Sequence, residues 1–78
     1  MCLLNFVLHF QLTYKCQYGE SLYIVGNISA LGSWDPTRAL KLTWTENHNW
    51  TTSLKFLHDN TQLIEYKYIV APSELHFN

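Results

Sequence analysis

At 78 residues the chain has room for one domain with an economical core, and a deep, enclosed active site is not expected. Five Lys and Arg against six Asp and Glu leave a formal net charge of −1, which provides no electrostatic footprint for nucleic acid or an anionic membrane surface. The scattered histidines His9, His48, His58 and His76 lack the spacing of a zinc site, so no metal or other cofactor is expected.

The apolar opening Met1 to Phe10 is broken by Asn5 and His9, has no basic flank, and is too short to span a bilayer; no targeting segment is expected from it. It reads instead as the first strand: Phe6, Leu8, Phe10 and Leu12 take one parity, while Val7, His9, Gln11 and Thr13 take the other. Cys2 and Cys16 lie at opposite ends of this segment. A rise of about 3.3 Å per residue keeps them beyond disulfide reach, and two free thiols fit a reducing compartment. The sequons Asn27-Ile28-Ser29 and Asn49-Trp50-Thr51 matter only for an exported chain.

After a turn at Gly19, Leu22 to Val25 is a β-branched and aromatic run closed by Gly26, the second predicted strand. Asn27 to Pro36 carries turn chemistry and is expected to be a surface loop presenting Trp34. Ala39 to Trp44 resumes strand character. A polar turn over Thr45 to Asn49 then leads into a strand from Trp50 to Leu57, completing a hairpin. Beyond a polar tip at His58 to Thr61, Ile64 to Val70 alternates again, with Ile64, Tyr66, Tyr68 and Val70 facing away from Glu65, Lys67 and Ile69. Pro72 to Glu74 reads as a turn, and Leu75 to Asn78 as the start of a further strand. Short strands at intervals of roughly ten residues, with no sustained helical period, predict a small antiparallel β-sandwich, for which an immunoglobulin-like form is one of the arrangements that fit the pattern. No repeat, low-complexity run or linker divides the chain, so residues 1–78 are read as a single domain.

Three Trp, five Tyr and four Phe make 15% of the chain aromatic, more than so small a core absorbs. Tyr18, Trp34, Trp44 and Trp50 all sit in or beside predicted loops among polar neighbours. A flat ring matches the apolar C–H face of a glucose unit, each such contact contributing ~1–3 kcal/mol by analogy with bases stacked on aromatic rings. Two rings in a shallow groove then give millimolar to ten-micromolar binding, about −4 to −7 kcal/mol. A core role competes for Trp44, in phase with Leu40 and Leu42, and for Trp50, in phase with Leu54 and Phe56. Lys67 would ordinarily be a solvated charge beside Glu65. Tyr23, Tyr66 and Tyr68 read as core rings. Asp35, Glu65 and Glu74 do not form the carboxylate-lined cleft that glycoside hydrolysis requires, so catalysis is not expected.

The motifs Tyr18-Gly19-Glu20, Leu22-Tyr23-Ile24-Val25-Gly26-Asn27, Leu31-Gly32-Ser33-Trp34-Asp35-Pro36, Ala39-Leu40-Lys41-Leu42, Trp50 and Glu65-Tyr66-Lys67-Tyr68-Ile69 stand in an order and spacing that resembles the starch-binding modules of family 20. Those modules are appended to glucoamylases, amylases and cyclodextrin glucanotransferases and occur in glycogen-associated proteins. The resemblance implies a non-catalytic, monomeric starch-binding sandwich with two sites for α-1,4-glucans such as starch, glycogen and maltooligosaccharides. Site one maps onto Trp34 of the L-G-x-W loop and Lys67 of the E-Y-K strand, with Phe77 where the family has a second tryptophan. Site two maps onto Tyr18, Trp44, in place of the commoner tyrosine, and Trp50, with Ser21 replacing a frequent asparagine. The family continues with an asparagine-containing loop and a last strand, so the sandwich is expected to lack that strand and to fold marginally in isolation. Two other readings stand beside this one: an interaction or scaffold domain with decayed glucan sites, and a fragment of a larger starch-active enzyme or glycan phosphatase.

Overall fold

A computed structural model describes residues 3–59 and 61–74 of the chain. Two three-stranded antiparallel sheets form a sandwich. The first, in the order β1-β5-β4, contains β1 (Leu3–Thr13), β4 (Thr43–Thr45) and β5 (Asn49–Asp59). The second, in the order β3-β2-β6, contains β2 (Glu20–Gly26), β3 (Leu40–Lys41) and β6 (Tyr66–Pro72).

The alternation in β1 acts as expected. Its ladder with β5 runs unbroken from Leu3 opposite Asp59 to Thr13 opposite Asn49, so Phe6, Leu8, Phe10 and Leu12 meet Phe56, Leu54, Thr52 and Trp50 on one face. That face joins Leu22 and Ile24 of β2 in a core that also takes in Leu31, Leu42 and Trp50. Phe6 and Phe56 stack at 5.8 Å across the strand pair. As the central strand of its sheet, β2 is buried along its length from Ser21 to Gly26.

The segment after β2 is a loop, as expected, tightened by 3-10 turns at Ser29–Trp34 and Pro36–Arg38. Leu31 plugs the core at 0% exposure. Gly32 sits at φ 83°, and a Cβ there would lie 2.7 Å from the Arg38 carbonyl oxygen, so the leucine-glycine pair is a packing requirement of the loop. The Asn27 side chain clasps the opposite loop, its Nδ2 donating to the Leu63 carbonyl at 2.8 Å and its Oδ1 accepting from the Glu65 N–H at 2.9 Å.

Three expectations are corrected. Ala39 to Trp44 is not one strand: the backbone crosses from one sheet to the other at Leu42, which is buried in the core while its N–H donates to the Leu22 carbonyl at 2.9 Å. The polar tip begins later than expected, because β5 continues through His58, buried against Phe6 and Phe56 with Nε2 3.1 Å from the Gln62 carbonyl. The last described strand begins at Tyr66 rather than Ile64, since Asn27 takes the Glu65 N–H. Tyr66 lies opposite Gly26 and edge-on to Phe10 at 5.2 Å, yet 46% of it is exposed, so it caps the core rather than filling it. The strand expected at Leu75 to Asn78, together with Phe77 and Cys2, lies outside the described residues.

Candidate functional site

Where the turn before β2 meets the β4–β5 hairpin, the surface opens into a depression of about 670 Å³. Tyr18, Trp44 and Trp50, the three residues assigned to one site from the sequence, all line it. Each reaches it for a different local reason. Tyr18 stands on a tight turn in which the Glu20 N–H donates to the Gln17 carbonyl at 3.0 Å and Gly19 takes φ 89°. With its backbone held there, the ring is fully exposed.

Trp44 and Trp50 are directly opposite partners in the β4–β5 ladder and therefore share a face, but their burial differs sharply, at 52% and 6% exposure. Position in the sheet causes this. Trp50 lies on the central strand, covered by the core, with its indole Nε1 donating to the Tyr14 carbonyl at 2.8 Å. Trp44 lies on a three-residue edge strand and projects over the depression, edge-on to His48 at 6.3 Å. Of the two roles left open for Trp50, the core one describes it: it forms a wall of the depression and an anchor of the fold, and the freely presented rings are Tyr18 and Trp44.

Polar groups complete the lining, several of them invisible to sequence reasoning. Lys41 extends along the rim with Nζ donating to the Ser73 carbonyl at 2.8 Å, and the Ser73 hydroxyl lies 2.7 Å from that of Ser21. Strand parity marks Lys41 as outward-facing but does not say which opening it borders. Ser73 and His48 carry no sequence signal and arrive through chain folding alone. Cys16 also faces the depression, where burial, reinforced by the Glu20 carboxylate, pushes its thiol up, so it is held in the protonated, unreactive form.

Trp34 and Lys67 lie elsewhere, Trp34 in the loop that follows β2 and Lys67 at the second position of β6. Trp34 ends the first 3-10 turn at φ 65°, the last of three consecutive positive-φ residues after Gly32 at 83° and Ser33 at 50°, and it is 44% exposed. Asp35 braces this loop: its Oδ1 accepts from the Thr37 hydroxyl at 2.8 Å and the Thr37 N–H at 3.0 Å, and those two bonds hold its carboxyl below the usual aspartate range. Lys67 is exposed on β6 opposite Val25. The depression includes neither residue.

A β-sandwich with aromatic rings presented around an open depression is the form of a module that binds at its surface. The family model described as starch binding domain matches residues 5–77, and the chain belongs to that family. It is similar to the crystal structure of the family 20 carbohydrate-binding module of a maltotetraose-forming amylase from Pseudomonas saccharophila STB07, with a TM-score of 0.74 and 30% identity over 90% of this chain and 73% of that one. Among curated proteins it is 46% identical over 41 residues to the cyclomaltodextrin glucanotransferase of Klebsiella oxytoca, covering 53% of this chain. It is also 40% identical over 52 residues to glucoamylase-1 of Schizophyllum commune, covering 67%. These matches span only 6% and 9% of the two enzymes' own lengths. The chain is a starch-binding module of all-β sandwich fold.

Proposed function

We propose that the chain is a non-catalytic module that holds α-1,4-glucan chains by stacking glucose units on surface aromatic rings. Its main site is the depression bounded by Tyr18 and Trp44, with Trp50 as its wall; Trp34 and Lys67, with Phe77, form a second contact. The observation that carries this reading is the placement of two exposed rings, from separate segments of the chain, around one opening rimmed by Lys41, Ser21 and Ser73. Rings bury the apolar sugar face while the rim meets its hydroxyls. Relatives named for cyclomaltodextrin transfer and glucoamylase activity support an α-glucan ligand, and the short share of those enzymes that is matched supports attachment of such a module to a larger starch-active protein.

Titration with maltoheptaose, followed by intrinsic tryptophan fluorescence, tests the site directly. Binding in the millimolar to ten-micromolar range is expected, and Trp44→Ala should weaken it roughly 5- to 150-fold, the equivalent of ~1–3 kcal/mol for one stacked ring. A substitution at Trp34 should cost less. The burial of Trp50 favours one competing reading, a sandwich retained as an interaction domain after its glucan sites have decayed. A folded protein whose fluorescence does not respond to maltoheptaose or β-cyclodextrin would establish that alternative.

A further inference from the structure

The β4–β5 hairpin closes at Thr45 opposite Asn49, which leaves the three residues Glu46, Asn47 and His48 to make the turn. Asn47 and His48 stand at φ 64° and 60°, the left-handed region that such loops ordinarily fill with glycine, as the turn before β2 does at Gly19. Hydrogen bonds around the tip impose this shape. The His48 carbonyl accepts from the Tyr14 N–H at 3.0 Å, and the Thr45 hydroxyl donates to the Asn49 carbonyl at 2.8 Å. The Asn49 carboxamide donates to the Glu46 carbonyl at 3.1 Å and accepts from the Thr13 hydroxyl at 2.6 Å. None of these bonds uses the His48 side chain, so glycine at this position would serve the hairpin as well.

The imidazole goes instead to Trp44, edge-on with ring centroids 6.3 Å apart and planes at 74°, and both residues line the depression. Trp44 stands half exposed on a three-residue edge strand, and among the described residues His48 is the one ring paired with it. We propose that His48 is a positioning residue of the glucan site: its ring holds the Trp44 indole in the orientation on which a glucose unit stacks. The inference rests on the glucan-binding reading and assigns His48 no contact with sugar of its own.

An edge-to-face pair is attractive because the positive rim of one ring meets the negative face of the other, and it is directional, so it fixes orientation as well as contact. Without that neighbour an indole on an edge strand turns among rotamers, and the sugar must freeze it on binding. Holding the ring beforehand removes that ordering cost, worth about 2- to 12-fold in affinity for one side chain. The left-handed backbone at His48 is then strain kept at a binding site, where the surrounding hydrogen bonds over-determine it.

Substitutions that suit the backbone separate this role from a structural one. His48→Gly and His48→Asn both tolerate a positive φ, so neither should lower the urea midpoint, yet maltoheptaose affinity measured by calorimetry should fall about 2- to 12-fold in both. His48→Phe restores a ring without a polar atom and should keep wild-type affinity. Positioning is also read without glucan: the NMR order parameter of the Trp44 indole N–H should drop in His48→Gly while that of the buried Trp50 indole stays high. Four results overturn the proposal: full affinity in His48→Gly; affinity lost only together with a lowered urea midpoint; an unchanged Trp44 order parameter; or a His48→Phe protein with wild-type near-UV circular dichroism that binds as weakly as His48→Gly, which would mean that the imidazole itself contacts sugar. A wild-type protein that does not bind maltoheptaose would count against the glucan reading, and the order parameter would then still decide whether His48 fixes the ring.

Discussion

Trp44 and Trp50 show how two residues of one type, facing each other across a ladder, acquire different duties. Parity places both in phase with inward-facing neighbours, and to that extent the sequence reads them alike. What separates them is the strand on the other side: Trp50 has β1 and the core beyond it, and Trp44 has only the depression. Substitution should separate the roles. Trp50→Phe removes the indole donor and leaves the Tyr14 carbonyl without its partner, so stability to urea should fall by about 1–3 kcal/mol. Trp44→Ala, at a half-exposed edge, should leave the unfolding midpoint nearly unchanged while binding weakens. A Trp50→Phe protein as stable as wild type would show that the buried bond contributes nothing. Asn27 and Asn49, the sequon residues, likewise have structural work: each carboxamide both donates and accepts within the fold, Asn49 bonding to Glu46 and Thr13.

At the scale of elements, the strands were legible wherever alternation ran long enough. β1 and most of β5 follow their patterns because one face of each is buried and a slip of one residue would turn that face to water, whereas β2, buried on both sides, is read from its continuous apolar run. Misreadings fall where a tertiary contact outweighs the local pattern: at Leu42, where a buried side chain carries the chain from one sheet to the other, and at Glu65, whose N–H is taken by Asn27 instead of a neighbouring strand. The loop holding Trp34 depends on a carboxylate. With its folded-state pKa depressed by the Thr37 bonds, Asp35 contributes its full bracing above the ordinary aspartate value of about 3.9 and loses it as pH falls through the lower folded value. In an NMR titration the Thr37 amide resonance should therefore shift with a midpoint below the ordinary value, and Asp35→Asn should abolish that step. A midpoint at or above 3.9 would contradict the bracing role.

The whole molecule is thin, 44 × 30 × 16 Å across the described residues, with a core built on six well-buried side chains. So little burial predicts marginal stability for the isolated chain: melting close to room temperature by near-UV circular dichroism. A cooperative melt well above room temperature would refute that expectation. The sandwich, the resemblance to the starch-binding family and the aromatic candidates for sugar contact are all legible in the residues alone, because strand alternation and turn motifs are local and survive in one dimension. Packing in three dimensions settles which of those rings remain open and which polar groups share their depression. Burial and convergence are properties of neighbours brought together from distant parts of the chain, and no local pattern encodes them.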